Sequence, residues 1–94
     1  MTNIAELKEK AKVGWASFIS FEALTSTAAP KLVQFSGTRQ GMRLLDVACG
    51  TGVVALTASR LGVEAQGIDL TPELIKRANE NAKIMELKAK FVEG

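Results

Sequence analysis

Apolar positions in the first third of the chain recur at helical intervals. Ile4, Leu7, Ala11, Trp15 and Phe18 fall on one side of a helix, and Asn3 with Glu6 three positions later has the form of a capping box. This predicts an opening helix, in which Trp15 and Phe18 are read as packing residues rather than pocket walls. A second, short helix carries Phe21 and Leu24. A third begins near Pro30, carries Leu32, Val33 and Phe35, and stops at Gly37. Together they read as an apolar-faced helical cap over residues 1–37.

After the polar stretch "SGTRQG" the period changes. Met42 to Val47 is a short apolar run flanked by glycines, which suits a strand buried on both faces. A helix starting near Thr51 carries Val54, Ala58 and Leu61 on one side and ends at Gly62, a left-handed cap. Val63 to Ile68 reads as a second strand. "TPEL" opens the next helix, with Thr71 as cap, Pro72 at the first helical position and Glu73 near the positive end of the dipole. That helix continues through Leu74, Ile75, Ala78, Ala82 and Met85, and "AKFVEG" reads as a third strand. Short right-handed crossovers between such elements build a parallel sheet. The predicted class is α/β: a Rossmann-like three-layer α/β/α domain over residues 38–94, truncated to about three parallel strands in the order 3-2-1.

Ninety-four residues suffice for one small domain and exclude a large two-lobed enzyme. Twelve Lys plus Arg against ten Asp plus Glu leave a net charge of +2 with no basic stripe, so no nucleic-acid partner is expected. Cys49 is the single cysteine and cannot form an internal disulfide, and no signal-peptide pattern precedes "ELKEKAK". A cytoplasmic setting is the expectation. No apolar run approaches the ~20 residues of a membrane span. The chain has no histidine, which removes both the common metal ligands and a base to activate Cys49. No metal is expected, and Cys49 is read as a small buried loop residue.

The candidate chemistry lies in "LLDVACGTG", Leu44 to Gly52. In a parallel sheet, ligands bind at the carboxyl ends of the strands, where helix amino termini point unpaired N–H groups. Glycines there let the backbone approach a ligand and tolerate positive dihedrals. The second strand also ends in an acid, Asp69, nineteen positions after Gly50, where a carboxylate can accept hydrogen bonds from both hydroxyls of a ribose. A nucleoside is therefore expected. "GTGVVA", Gly50 to Ala55, also satisfies the dinucleotide fingerprint G-x-G-x-x-G/A, which keeps a nicotinamide or flavin reading open. Asp46 weighs against it, because a carboxylate at the strand end faces a pyrophosphate unfavourably and suits a cationic group. Simpler roles remain for both acids: Asp46 can cap nearby loop amides, and Asp69 can be a turn aspartate.

"LLDVACGTG" followed by "GIDLTPELI" resembles the first two signature regions of class I S-adenosylmethionine-dependent methyltransferases. The family's first motif has the form acid-x-Gly-x-Gly-x-Gly, and this chain departs from it with Ala48 at the first glycine. The resemblance implies that Ala48, Cys49, Gly50, Thr51 and Gly52 cradle the methionine end of S-adenosylmethionine. Asp46 would then lie near its ammonium group, Asp69 on the ribose hydroxyls and Leu70 against the adenine. It covers Met42 to Gly94 well, whereas the N-terminal helices match the family's variable cap only in kind.

The family's catalytic domain has a seven-stranded sheet, and its substrate half has no counterpart among these residues. The expectation is a cofactor-binding portion of a methyltransferase with a small-molecule acceptor, from a truncated gene, a split enzyme or an expressed fragment, weakly binding and without turnover alone. No catalytic residue is assigned. A non-catalytic association module on the same scaffold is the alternative. In strand order 3-2-1 the edge of "MRLLDV" is left unpaired, so a homo-oligomer is expected, a dimer through first-strand edges or swapped N-terminal helices.

Overall fold

The structure, a computed structural model, describes Glu22, Ala23 and residues 25–94. The expected opening helix, with Trp15 and Phe18, and the positions of Phe21 and Leu24 lie outside the described residues. Within them, helix α1 spans residues 25–35, and the alternating segments that follow are β1 (Arg43–Val47), α2 (Val53–Arg60), β2 (Glu64–Asp69), α3 (Pro72–Ile84) and β3 (Lys90–Glu93). The strands are parallel and ordered β1-β2-β3, the expected Rossmann-like arrangement. Register pairs Leu45 with Gln66 and Gln66 with Lys90, and Val47 with Ile68 and Ile68 with Val92.

The helix expected to begin at Pro30 does not begin there. Residues 25–35 are continuously helical, and Pro30 sits inside that run beside Val53, Leu56 and Met85. The missing proline N–H removes one helical hydrogen bond. Packing offsets the loss, because Ala29 and Val33, one turn apart, are both buried and Val33 joins the core. Phe35, expected on the apolar face, is instead 90% exposed.

The first strand also departs from expectation. Leu44 and Asp46 are half-buried, whereas Leu45 is 58% and Val47 67% exposed, so β1 is covered on one face only among the described residues. Two successive right-handed crossovers running the same way along a sheet set both helices on the same side. Leu45, Val47 and Val92 line the opposite side, with an exposed Arg43–Glu64 ion pair of 3.2 Å at one end. The described residues thus supply the sheet and one helical layer of the three-layer architecture.

Small residues set the spacing of that layer. Ala55 and Ala58 of α2, Ala78 and Ala82 of α3, and Ala65 of β2 are buried, and Phe91 of β3 fills the space between them. A Cβ on Gly52 would stand 2.7 Å from Phe91 Cζ, and one on Gly67 would stand 2.7 Å from Phe91 Cδ1. The ring therefore contacts backbone on both sides, which only glycine permits.

These two environments separate the loop glycines. At Gly52, with φ +87°, an added methyl meets Phe91, while at Gly50, with φ +57°, it meets nothing within 4 Å. Gly50→Ala is expected to cost about 1–2 kcal/mol from the left-handed backbone alone. Gly52→Ala adds overpacking and is expected to cost about 2–5 kcal/mol in urea unfolding. Equal losses at the two positions would show that Phe91 does not support the loop.

Candidate functional site

The turn from β1 into α2 cannot be made with ordinary dihedrals. Ala48 (φ 59°), Gly50 (φ 57°) and Gly52 (φ 87°) are all left-handed, alternating with Cys49 and Thr51. Ala48 stands at the place where the resembled family carries glycine, and its backbone adopts the conformation glycine prefers, at a cost of about 1–2 kcal/mol. Strain of this kind persists where surroundings hold it.

Hydrogen bonds supply that hold. The Cys49 N–H donates to the Ile68 carbonyl at 2.9 Å and the Gly52 N–H to the Cys49 carbonyl at 3.0 Å. Asp69 ties two turns together: Oδ2 accepts the Gly50 N–H at 3.0 Å and Oδ1 the Thr71 N–H at 2.9 Å. The second bond substitutes for a side-chain cap on α3, since the Thr71 side chain makes none and its carbonyl accepts from Leu74 and Ile75. From α3, Asn81 Nδ2 donates to the Thr51 carbonyl at 3.1 Å.

Asp46 performs the corresponding task for α2, which also lacks a side-chain cap. Its half-buried carboxylate accepts the Ala55 N–H. Burial raises its pKa, the Ala55 bond opposes the shift and the charge of Asp69 adds to it. Cys49 lies beneath the loop, where a Cβ on Gly67 would come within 2.7 Å of its sulfur. Burial, then the charges of Asp46 and Asp69, push the thiol up to about 11, so it stays protonated at neutral pH. The expected structural role for Cys49 fits this setting.

Above the loop is a cavity of about 240 Å³ lined by Asp46, Ala48, Cys49, Gly50 and Thr51, by Val53 and Val54 of α2, and by Glu22 and Thr25. Of the predicted site residues, Gly52, Asp69 and Leu70 are not in this lining. Gly52 packs on Phe91, Asp69 lies behind the loop and Leu70 is 82% exposed beside it. Among the described residues the lining contains two carboxylates and no lysine or arginine.

Sequence reasoning missed Glu22 and Asn81. Glu22 accepts from Arg77 Nη2 at 3.3 Å and from Asn81 Nδ2 at 3.4 Å. Burial acts to raise its pKa, but the Thr51 side chain, the bonds from Arg77 and Asn81 and the Arg77 charge outweigh it, holding the carboxyl below its usual range. Asn81 had a signal: with Asn79 it puts two poor helix formers inside one helix, which implies tertiary bonds. Asn79 makes one as well, donating to the Phe91 carbonyl at 3.1 Å.

A family model described as a methyltransferase domain matches residues 38–94. An uncharacterized protein of Mycobacterium tuberculosis is 46% identical over 61 residues, 65% of this chain and 22% of that protein. The ribosomal protein L11 methyltransferase of Thermus thermophilus is 39% identical over 56 residues, 60% of this chain and 22% of that protein. Among solved structures, a Pyrococcus horikoshii protein superposes with a TM-score of 0.65 at 30% identity, covering 79% of this chain and 32% of that one. An RNA methyltransferase from Salinibacter ruber, in complex with S-adenosyl-L-homocysteine, does so at 0.65 and 26%, covering 72% and 46%. The chain spans about a fifth of the length of the curated relatives it matches.

The acid under the cavity carries a stability consequence of definite sign. A folded-state pKa above the ordinary 3.8 means that the fold binds the Asp46 proton more tightly than the unfolded chain does. Stability is then lost as pH rises through that raised value, and the loss is fully present at pH 7. Asp46→Asn keeps an acceptor for Ala55 and removes the charge. It is expected to raise Tm at pH 7 by about 2–5 °C, with the gain shrinking toward pH 3. A lower Tm at pH 7 would contradict this account of Asp46.

Proposed function

The chain belongs to the methyltransferase domain family, with the Rossmann-like fold of its class I members, and we propose that the loop over residues 48–52 holds S-adenosylmethionine. The observation that carries this reading is the charge of the cavity: among the described residues Asp46 and Glu22 line it with no cationic side chain beside them, which disfavours a pyrophosphate and favours a sulfonium and an ammonium group. Gly50 faces open space, so its backbone can approach the ligand.

Asp69 serves the ribose in this reading. Each of its oxygens accepts one backbone amide, and a carboxylate has about four acceptor positions, so two remain for hydroxyls. Exposed Leu70, next along the chain, offers an apolar platform to the adenine. The bound cofactor would supply an electrophilic methyl group for direct displacement. What these residues contribute is its placement. The cavity falls below the roughly 300–1,000 Å³ that encloses a ligand of this size, which supports a half-site that binds weakly and does not turn over by itself. A small-molecule acceptor in the complete catalytic unit is supported by a net charge of only +2.

Association belongs to the same reading. Among the described residues nothing pairs with the outer edge of β1, and Leu45, Val47 and Phe35 are exposed. An uncovered apolar strand edge recruits another chain. The chain forms a homo-oligomer, a dimer through first-strand edges or exchanged N-terminal helices, in the cytoplasm. Light scattering coupled to size exclusion should report a dimer across a concentration series, and a soluble monomer at high micromolar concentration would refute it.

Calorimetry tests the ligand. S-adenosylmethionine and S-adenosylhomocysteine should bind, and NAD should give no heat. The small, open cavity sets the expected affinity below that of an enclosed site. Asp69→Ala should abolish binding and, by leaving the Gly50 and Thr71 amides without an acceptor, lower stability by about 1–3 kcal/mol. Binding of NAD with no response to S-adenosylhomocysteine would overturn the reading.

A further inference from the structure

Glu22 is the point where three parts of the molecule meet. It is helical, just ahead of residues 25–35, its oxygens accept from Arg77 and Asn81 of α3, and Asn81 links it to Thr51 of the loop. Its α3 partners are 55 and 59 positions away, so nothing local explains the arrangement. Asn81 closes the circuit by giving the same amide nitrogen to the Thr51 carbonyl at 3.1 Å and to Glu22 Oε2 at 3.4 Å. Thr51 is thus held at its carbonyl by an amide that Glu22 in turn anchors, while Gly50 and Gly52 on either side are left-handed. An exposed ion pair would carry little weight. This carboxylate has 21% side-chain exposure and also lines the cavity.

We infer that Glu22 is a positioning residue for the ligand loop: through Asn81 and the Thr51 carbonyl it sets the curvature of residues 48–52 and so the affinity of the site they form. The part of this that concerns affinity rests on the proposed S-adenosylmethionine site. The part that concerns loop shape does not. A residue that only tethered α1 would leave the loop amides as they are.

Amide hydrogen exchange by NMR on the full, ligand-free chain separates the two roles, followed by calorimetry with S-adenosylhomocysteine. Glu22→Ala is expected to speed exchange of the Gly50 and Gly52 amides at least tenfold, leaving β2 amides unchanged, and to weaken the ligand at least fivefold. Glu22→Gln, which keeps an acceptor for Asn81, should recover most of both effects. Asn81→Ala should reproduce Glu22→Ala, with the double variant no worse than Asn81→Ala alone. Unchanged exchange at Gly50 and Gly52 overturns the inference, and so does a rise shared equally by β2, which would report general loosening. If exchange responds as expected but the parent chain binds no S-adenosylhomocysteine, the positioning role stands and the cofactor reading falls.

Discussion

The ring of Phe91 has backbone against it on two sides, and the C-terminal end of the sheet is arranged around that contact. Gly67 of β2 and Gly52 of the loop each leave the volume of one methyl group for it. Ala78 of α3 closes in from the helical layer, 3.3 Å from where a Cβ of Gly52 would stand. A buried aromatic of this size contributes on the order of 2–3 kcal/mol by area alone. Its larger consequence is geometric: the loop after β1 rests on a side chain delivered by β3, so the order of the strands and the shape of the site are one constraint. Cys49 fills the remaining space against Gly67, with its thiol held protonated.

Polar groups then fix what packing leaves free. Asp46 and Asp69, at the ends of adjacent strands, each accept backbone amides that no helix could satisfy internally. The two acids differ in setting. Asp69 bridges two turns with both oxygens, whereas Asp46 pays for its place under the cavity with desolvation and the repulsion of Asp69. A carboxylate kept in an unfavourable position beside an open cavity is what a cationic ligand would relieve. The simpler roles considered from sequence, capping for Asp46 and turn formation for Asp69, are therefore present together with the acceptor capacity that a nucleoside needs.

Much of this was legible in the amino-acid pattern because its causes are local. Helical spacing places Ala58, Leu74, Ile75, Ala78 and Ala82 on buried faces, whereas Leu61 and Met85, read onto the same faces, lie exposed at the helix ends; Gly62 and Pro72 mark the helix boundaries they were read to mark. The loop and the two acids follow from strand ends and glycines. What escaped depends on residues distant in the chain. Gly52 looks like a ligand glycine until Phe91 arrives beside it, and Glu22 looks like a surface acid until Arg77 and Asn81 do. The continuity of α1 through Pro30 rests on the burial of Ala29 and Val33, which proline propensity cannot register. The uncovered face of β1 escaped because an apolar run says that a strand can be buried, not that described residues bury it.

The central claim is that the loop over residues 48–52 and the turn at Asp69 form one ligand surface. Amide chemical-shift mapping of the isotope-labelled chain, titrated with S-adenosylhomocysteine, tests it most directly. Progressive shifts are expected at Ala48, Cys49, Gly50, Thr51 and Leu70, with Arg43, Glu64 and Lys90 at the opposite end of the sheet unmoved. Shifts confined to that opposite end, or none at millimolar ligand, would contradict it.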